Sequence, residues 1–199
     1  VQPNARLMWT PNTQNSIWLS ISRAVRIPSR GENDITYNAG QIQSVPGIPT
    51  LPIPISIIMN GANNFGSEKL LAYELGFRHQ FSSRASIDIS GFVNDYSHLR
   101  DLSFGALSFS TGLPRELILP LLVNNRATAL TYGVEVSTDW KPTNRWRLQG
   151  NYSFLDINIT SNELLKTFDP TTGGAAQTNP QHQASLRSNY DISDRLQLN

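Results

Sequence analysis

The charged residues that could do chemistry in this 199-residue chain are spread over alternating positions instead of being gathered in motifs. Two facing carboxylates could form a hydrolytic pair, but each acid has an arginine or a polar residue available on a neighbouring segment. Charge pairing inside a wet interior is therefore the better interpretation, and we predict that the chain is not an enzyme. The residues assigned to this interior are Glu74, Arg78, Asp88, Glu135, Asp139, Arg147 and Arg187.

The other reactive residue types indicate no catalytic or metal site. His79, His98 and His182 have no metal-binding partner two, three or four residues further on. Asp95 and His98 could contact a ligand near a strand end, although an isolated histidine at a loop entrance is usually only solvated. Cysteine is absent, which excludes disulfides and thiolate chemistry. The sequence contains no nucleophile elbow, phosphate loop or HExxH stretch, so we predict no bound metal and no cofactor.

Composition excludes several classes of partner and of membrane segment. The formal net charge is +1 and the cations are scattered, so we predict no nucleic-acid partner. No apolar run approaches the roughly 18 residues of a transmembrane helix. A transmembrane β-strand needs only every second residue to face lipid, so a β-barrel remains compatible with this composition.

Most of the chain consists of segments of about ten residues in which polar and apolar side chains alternate, which predicts eight strands. Four short polar turns join them, near residues 11–15, 82–84, 141–145 and 191–194. These turns alternate with three long loops, over about 28–66, 97–126 and 159–180. Short turns at one end and long loops at the other are typical of an up-and-down barrel that spans a bilayer.

Cross-strand pairs give a predicted register for two hairpins, because one register must satisfy both faces. The first pairs Phe77 with Ile89 and Arg78 with Asp88. The second, folded about Thr143, pairs Trp140 with Trp146, Asp139 with Arg147, and Tyr132 with Phe154. Residues 67–76 could instead be helical, but the alternation through Phe77 favours a strand. In the first hairpin the alternation turns Trp18 toward the polar side unless a bulge intervenes.

Aromatic residues lie close to the short turns, as in an interfacial girdle at headgroup depth. The residues assigned to this girdle are Trp9, Phe77, Trp140, Trp146 and Tyr190. A soluble β-sandwich with tryptophans near its turns is the alternative. Its loop lengths and tryptophan positions would be more mixed, so the barrel is favoured.

The long loops are the candidate ligand-binding segments. Prolines at 46, 49, 52 and 54 favour an extended backbone in the middle of the first loop, which could fold over a ligand or serve only as a strap. Residues 113–123 and 161–168 could form short helices. The apolar run 117–123 should be buried among loops or touch ligand.

Four stretches of the sequence resemble the barrel of TonB-dependent outer-membrane receptors, in the family's order. Residues 22–29 resemble its "SRAxRxPS" pattern, and 67–77 resemble "PExxxxYELGF", with Phe65-Gly66-Ser67 in place of the usual "LKP". Residues 131–135, followed by 146–153, are similar to the family's next hairpin, and 179–187 to the "P-x-H" strand after it.

This resemblance implies an all-β, antiparallel segment of a transmembrane barrel of about 22 strands, filled by a plug domain. Residues 1–199 would be one partial barrel domain, and we expect the plug, the TonB box and the C-terminal strands to lie outside it. The implied function is uptake of a scarce nutrient, most often a ferric siderophore, across the outer membrane of a Gram-negative bacterium. The implied partners are the plug, the TonB complex, outer-membrane lipid and the nutrient.

Two other functions are kept as alternatives. A passive porin would share the barrel but need no plug and no energy source. A soluble β-rich adhesin or carbohydrate-binding module would fold in the absence of lipid or detergent.

Overall fold

A computed structural model describes residues 1–42, 54–62, 64–111, 116–162, 167 and 178–199. These residues form one sheet of eleven strands and a short helix, α1 (Arg30–Asp34). The strands are β1 (Asn4–Asn12), β2 (Asn15–Arg26), β3 (Thr36–Ile42), β4 (Ile55–Asn60), β5 (Glu68–Ser82), β6 (Ala85–Phe104), β7 (Ser108–Phe109), β8 (Leu117–Thr143), β9 (Trp146–Thr160), β10 (His182–Ser193) and β11 (Leu196–Leu198).

The main path of the sheet is β1-β2-β5-β6-β8-β9-β10-β11, with β1 and β11 at its two open edges. Neighbours on this path are antiparallel, which confirms the eight predicted strands and the all-β class. The helical alternative for residues 67–76 is wrong, because Glu68–Ser82 is a strand. Helices long and apolar enough to span a membrane do not occur in the described part of the chain.

The pairing gives the sheet two unlike faces. One row across six strands is apolar: Ile17, Phe77, Ile89, Val136, Tyr152 and Ala184. The adjacent row, on the opposite side, is polar: Ser16, Arg78, Asp88, Ser137, Asn151 and Ser185. Because side chains alternate along every strand, the sides that contain these rows are the apolar face and the polar face of the whole antiparallel sheet.

One predicted hairpin register is confirmed and the other is wrong. Phe77 pairs with Ile89 and Arg78 with Asp88, as predicted. In the second hairpin the pairs are displaced by two residues: Trp140 with Leu148, Asp139 with Gln149, and Tyr132 with Asp156. The cause is a bulge between Trp140 and Thr143, which moves the turn to residues 144–145.

The displacement leaves both faces unchanged, since two residues are one full period of a strand. Two of the predicted contacts therefore survive on the diagonal. Arg147 still donates hydrogen bonds to Asp139, and the Tyr132 and Phe154 ring centroids are 6.4 Å apart.

At the end opposite the short turns, the first and second long loops fold into additional sheet. We call β3, β4, β7, the last residues of β6 and the first residues of β8 the long-loop sheet. In it, β4 pairs in parallel with β8, Ile55 opposite Leu117 through Asn60 opposite Leu122. Its buried residues include Ile55, Ile57, Leu117, Leu119, Leu121 and Val123.

Leu117, Leu119, Leu121 and Val123 are buried, as predicted, whereas Leu122 of the same run is exposed. The predicted helix over 113–123 is wrong. Residues Leu117–Val123 belong to β8, because β4 pairs with Leu117–Leu122 on one side. On the other side, β7 pairs with the first residues of the run and β6 with the last. The proline-rich middle of the first loop and most of the predicted helix 161–168 lie outside the described residues.

Candidate ligand pocket and polar face

The first long loop is held at its start by Arg26, the last residue of β2. Its Nε donates to Glu68 Oε2 at 2.6 Å, directly across the strand pair, and its Nη2 donates to Glu32 Oε1 at 2.5 Å. Glu32 also accepts a hydrogen bond from the Ser29 backbone amide at 2.7 Å, which caps α1. This network fixes α1 against the ends of β2 and β5.

The charges in this network stabilise one another. Burial alone would raise the pKa of Glu32, but hydrogen bonds from Arg26 and Ser29 outweigh it, and the pKa lies below its ordinary value. Hydrogen bonds from Arg26 to Glu68 and then to Glu32 raise the pKa of the guanidinium. Glu32, which is only 6% exposed, is therefore a buried carboxylate that stays ionised.

The same loop is held at its other end by Asn125 of β8. The Gly66 amide donates to Asn125 Oδ1 at 2.6 Å, and Asn125 Nδ2 donates to the carbonyl oxygens of Gly66 and His98. His98 has a positive φ of 60°, which places its carbonyl at a bend in β6. The loop is thus anchored at both ends and through β4.

A cavity of about 500 Å³ lies between the start of the first loop and the long-loop sheet. The first predicted ligand loop contributes Tyr37 and Met59, and the second contributes Arg100 and Leu102. Arg26, the last polar-face residue of β2, also lines the cavity. Arg26 is already bonded to Glu32, whose carboxylate also lines the cavity. With Arg100, the Tyr37 ring and apolar side chains, this lining suits an amphipathic ligand with polar, oxygen-rich groups.

The other predicted ligand contacts lie away from this cavity. Asp95 pairs with Leu71 and Leu130 and so belongs to the apolar face, while His98 serves through its backbone carbonyl. The third long loop meets the second where the buried Asp101 accepts a hydrogen bond from the Asn162 amide at 3.0 Å. Only residues 159–162, 167 and 178–180 of that loop are described.

The strand pairing places all seven charged residues assigned to the interior on the polar face. Arg78 pairs with Asp88 at 2.5 Å and Arg147 with Asp139, whereas Arg187 lies opposite Gln149. Glu135 lies between Ser90 and Ser153 beside a groove of about 420 Å³. It has no ion pair within the described residues, and serine residues lie on both sides of it.

Trp18 lies on the polar face, as the alternation predicted. Its indole nitrogen donates to Glu74 Oε1 at 2.5 Å, and the Arg6 guanidinium lies 5.7 Å from the centre of its ring. The indole lies against Gly76, where any Cβ would overlap it. A glycine is therefore required on β5 to accommodate this tryptophan.

The five residues assigned to the girdle all lie on the apolar face toward the short turns. Trp9 pairs with Ile17 and Trp146 with Tyr190, while Trp140 lies beside Leu148. All five side chains are exposed, and the Trp146 indole nitrogen donates to Ser188 Oγ at 3.0 Å.

Sequence reasoning missed Arg26, Glu32 and Glu68 as one network. The sequence contained a signal for the pair of Arg26 and Glu68. The "SRAxRxPS" and "PExxxxYELGF" stretches each place one of these charged residues where its strand meets the first long loop. Across the described residues, no group of three or more His, Cys, Asp or Glu side chains could hold a metal ion.

A family model described as TonB-dependent receptor-like β-barrel matches residues 1–198. The chain belongs to this family. Its members are outer-membrane proteins of Gram-negative bacteria, and the family is one of transport receptors, not a class of enzymes. The described sheet is open, with β1 and β11 at its edges.

Solved structures of siderophore receptors share this fold. A mutant of the ferric enterobactin receptor PfeA from Pseudomonas aeruginosa, in complex with enterobactin, has a TM-score of 0.71 at 15% identity, over 98% of this chain and 26% of that chain. The siderophore receptor PirA from the same species has a TM-score of 0.60 at 16% identity, over 98% and 32%. The ferric-catecholate import receptor Fiu from E. coli has a TM-score of 0.60 at 15% identity, over 96% and 22%.

At these identities the likeness establishes the fold, and the chain spans between 22% and 32% of the length of these receptors. No curated protein sequence matches the chain.

Proposed function

We propose that the chain is part of the barrel of an outer-membrane receptor that binds a ferric siderophore and imports it with energy transmitted by TonB. The observation that carries this proposal is the cavity between the two long loops, which opens where the polar face ends. A ligand bound there would lie at the mouth of a polar interior. The named siderophore receptors with the same fold support this choice of ligand class.

The apolar face supports the membrane placement. On β8, the apolar-face residues from Leu130 to Trp140 span ten residue steps, or roughly 33 Å along the strand. At the strand tilt of about 40° that is usual in outer-membrane barrels, this length covers about 25 Å of bilayer, the height of the apolar band in such barrels. The girdle residues Trp140 and Trp146 would mark the periplasmic interface.

The polar face would hold the plug domain. Arg78–Asp88 and Arg147–Asp139 already neutralise each other, so they offer mainly hydrogen bonds. Glu135 and Arg187 are the polar-face charges best placed to meet opposite charges on a plug, since neither forms an ion pair within the described residues.

The test uses the full-length parent protein in an outer membrane, with uptake of a radiolabelled ferric catecholate siderophore as the readout. We expect uptake that stops when the proton-motive force is collapsed. Tyr37→Ala should weaken binding, because it removes the aromatic ring from the cavity. Tyr190→Ala, a matched loss at the opposite rim, should leave binding unchanged.

Each alternative predicts a different result. Uptake that continues without the proton-motive force would favour the passive porin. A monomeric, cooperatively folded protein obtained without detergent would favour the soluble adhesin. If Tyr37→Ala and Tyr190→Ala weaken binding equally, the ligand does not bind in this cavity.

A further inference from the structure

Strand β6 is distorted where it enters the long-loop sheet. Its pairing with β8 passes from Tyr96 opposite Ala129 to Leu99 opposite Ala127, so β6 contains an extra residue in this interval. His98 lies in the interval and has a φ of 60°, in the left-handed region that residues other than glycine seldom occupy. Such a conformation persists only where the surrounding contacts hold it.

A second bulge follows at once on the partner strand. Between Leu99 opposite Ala127 and Asp101 opposite Asn124, the extra residue belongs to β8. The two bulges cancel, and regular pairing resumes at Asp101. Arg100 is the residue of β6 that lies between them. Bulges often redirect side chains next to binding sites, and Arg100 lines the cavity between the two long loops.

Asn125, which lies in the bulge of β8, holds the distorted segment of β6. Its Nδ2 donates to the His98 carbonyl at 2.8 Å and to the Gly66 carbonyl at 3.1 Å. Its Oδ1 accepts from the Gly66 amide at 2.6 Å. One amide side chain supplies both donors and the acceptor, so it connects the end of the first long loop to the bend in β6.

The backbone of Arg100 is held from the other side by β5. Its amide donates to Glu68 Oε1 at 3.0 Å, and Glu68 Oε2 accepts from Arg26 Nε at 2.6 Å. The remaining nitrogens of Arg26 donate to Glu32. Of the two guanidinium groups in the cavity, Arg26 is therefore fixed by two glutamates, whereas the position of Arg100 depends on the course of the β6 backbone.

We propose that Asn125 and the left-handed bend at His98 position Arg100, which presents its guanidinium to oxygen atoms of the ligand. The bend sets the direction in which β6 continues, and Asn125 keeps His98 in the bend. Arg100 touches the ligand, whereas Asn125 and His98 are positioning residues that act through it. The proposal rests on the proposed function for its ligand, but the positioning can be measured without one.

The first test compares two substitutions of His98 in the full-length parent protein. Both remove the imidazole, but glycine adopts a positive φ without penalty and valine is strongly disfavoured there. Without ligand, His98→Val should lower the protection of the Arg100 amide from hydrogen exchange, and His98→Gly should keep most of it. With radiolabelled ferric enterobactin, His98→Val should weaken binding severalfold more than His98→Gly.

A second set of variants shows whether the effect passes through Arg100. Arg100→Gln should weaken binding by roughly tenfold, the usual loss when a charge-assisted hydrogen bond is removed. Asn125→Ala should weaken binding severalfold by itself but add little in the Arg100→Gln background. A purely structural role would lower the affinity by the same factor in both backgrounds. Asn94→Ala, which removes a hydrogen bond to β8 from the regular part of β6, is the matched control and should leave binding unchanged.

The opposite results would overturn the proposal. Equal weakening by His98→Gly and His98→Val would show that the imidazole matters and the bend does not. Independent losses in Asn125→Ala and Arg100→Gln would overturn it as well, and so would an Arg100 amide that stays fully protected in a folded Asn125→Ala variant. If His98→Val does not reach the outer membrane, Asn125→Ala supplies both readouts. A wild-type protein that does not bind the probe would overturn the proposed function, while the Arg100 amide still decides the positioning.

Discussion

The two ends of β8 have similar side chains in opposite surroundings. Toward the long loops, Leu117, Leu119 and Leu121 are at most 7% exposed, packed with β4 and β6. Toward the short turns, Leu130 and Val134 are more than 40% exposed although they continue the same strand.

The difference fits the proposed membrane placement, in which protein surrounds one end of this strand and lipid the other. The long-loop sheet has a protein core and buries its apolar side chains against other residues. Among the described residues, the side chains of the apolar face are exposed, and a surface of this size is typical of one that a partner covers. Substitutions at the two ends of β8 should therefore respond to different conditions.

The largest effect should come from the protein core. Leu121→Ala should lower the free energy of unfolding of the long-loop sheet by about 2–5 kcal/mol, because it leaves a cavity among packed side chains. Val134→Ala should cost much less, since fluid lipid fills the space. Hydrogen exchange at the amides of β4 in the full-length protein would measure the loss of stability in each variant. Equal losses in Leu121→Ala and Val134→Ala would show that the two ends of β8 are stabilised in the same way.

A charged substitution on the apolar face should have the second-largest effect on stability. Val134→Arg should reduce the stability of the reconstituted barrel by about 2–4 kcal/mol, the usual cost of arginine near the bilayer midplane. Ser137→Arg, on the polar face of the same strand, is the matched control and should be close to neutral. Denaturant unfolding in lipid vesicles measures the difference, and a tolerated Val134→Arg would argue against lipid contact.

The anchor of the first long loop should give an intermediate effect. Arg26→Gln leaves the buried Glu32 carboxylate without its cation and should destabilise the loop by about 1–3 kcal/mol. Arg78→Gln breaks a more exposed pair and should cost at most about 1 kcal/mol. Adding Glu32→Gln to Arg26→Gln should restore part of the loss, and no restoration would show that the pair is not coupled.

Acid should produce the smallest change at the loop anchor. Because the folded-state pKa of Glu32 lies below its ordinary value of 4.5, the ionised form contributes stability above that pH. This contribution is lost as the pH falls through the lower, folded-state value. The Ala62 amide donates to the Glu32 carbonyl. Its protection from hydrogen exchange, measured relative to the intrinsic exchange rate at each pH, should fall in acid in the wild type and not in Glu32→Gln.

The sequence was sufficient to predict the strands and their faces, since alternation reports directly on which side each residue faces. It was not sufficient for every register. Two registers of the β8–β9 hairpin that differ by two residues place the same faces together, and only the bulge after Trp140 distinguishes them. The Phe77–Ile89 register was predicted correctly, with Arg78 opposite Asp88. The charge pair was not what decided it, because the wrong β8–β9 register also placed Asp139 opposite Arg147.

The candidate site was less predictable than the fold. The two loops that line the cavity were identified by their length, but their internal strands were not. Residues 117–123 read as a helix in isolation, and they form a strand because β4, about sixty residues earlier in the chain, pairs with them. Arg26 and Glu32 were missed for a related reason, since their partnership depends on how α1 folds back onto β2.

The parallel pairing of β4 with β8 has a consequence for the order of assembly. The hairpins at the short turns join neighbours in the sequence, so each can form as soon as its second strand is available. Ile55–Asn60 must instead wait until Leu117–Leu122 arrives, after β5 and β6 are in place. The part of the molecule that would meet the ligand is therefore completed late, and the first long loop stays open to proteases until β8 takes its position.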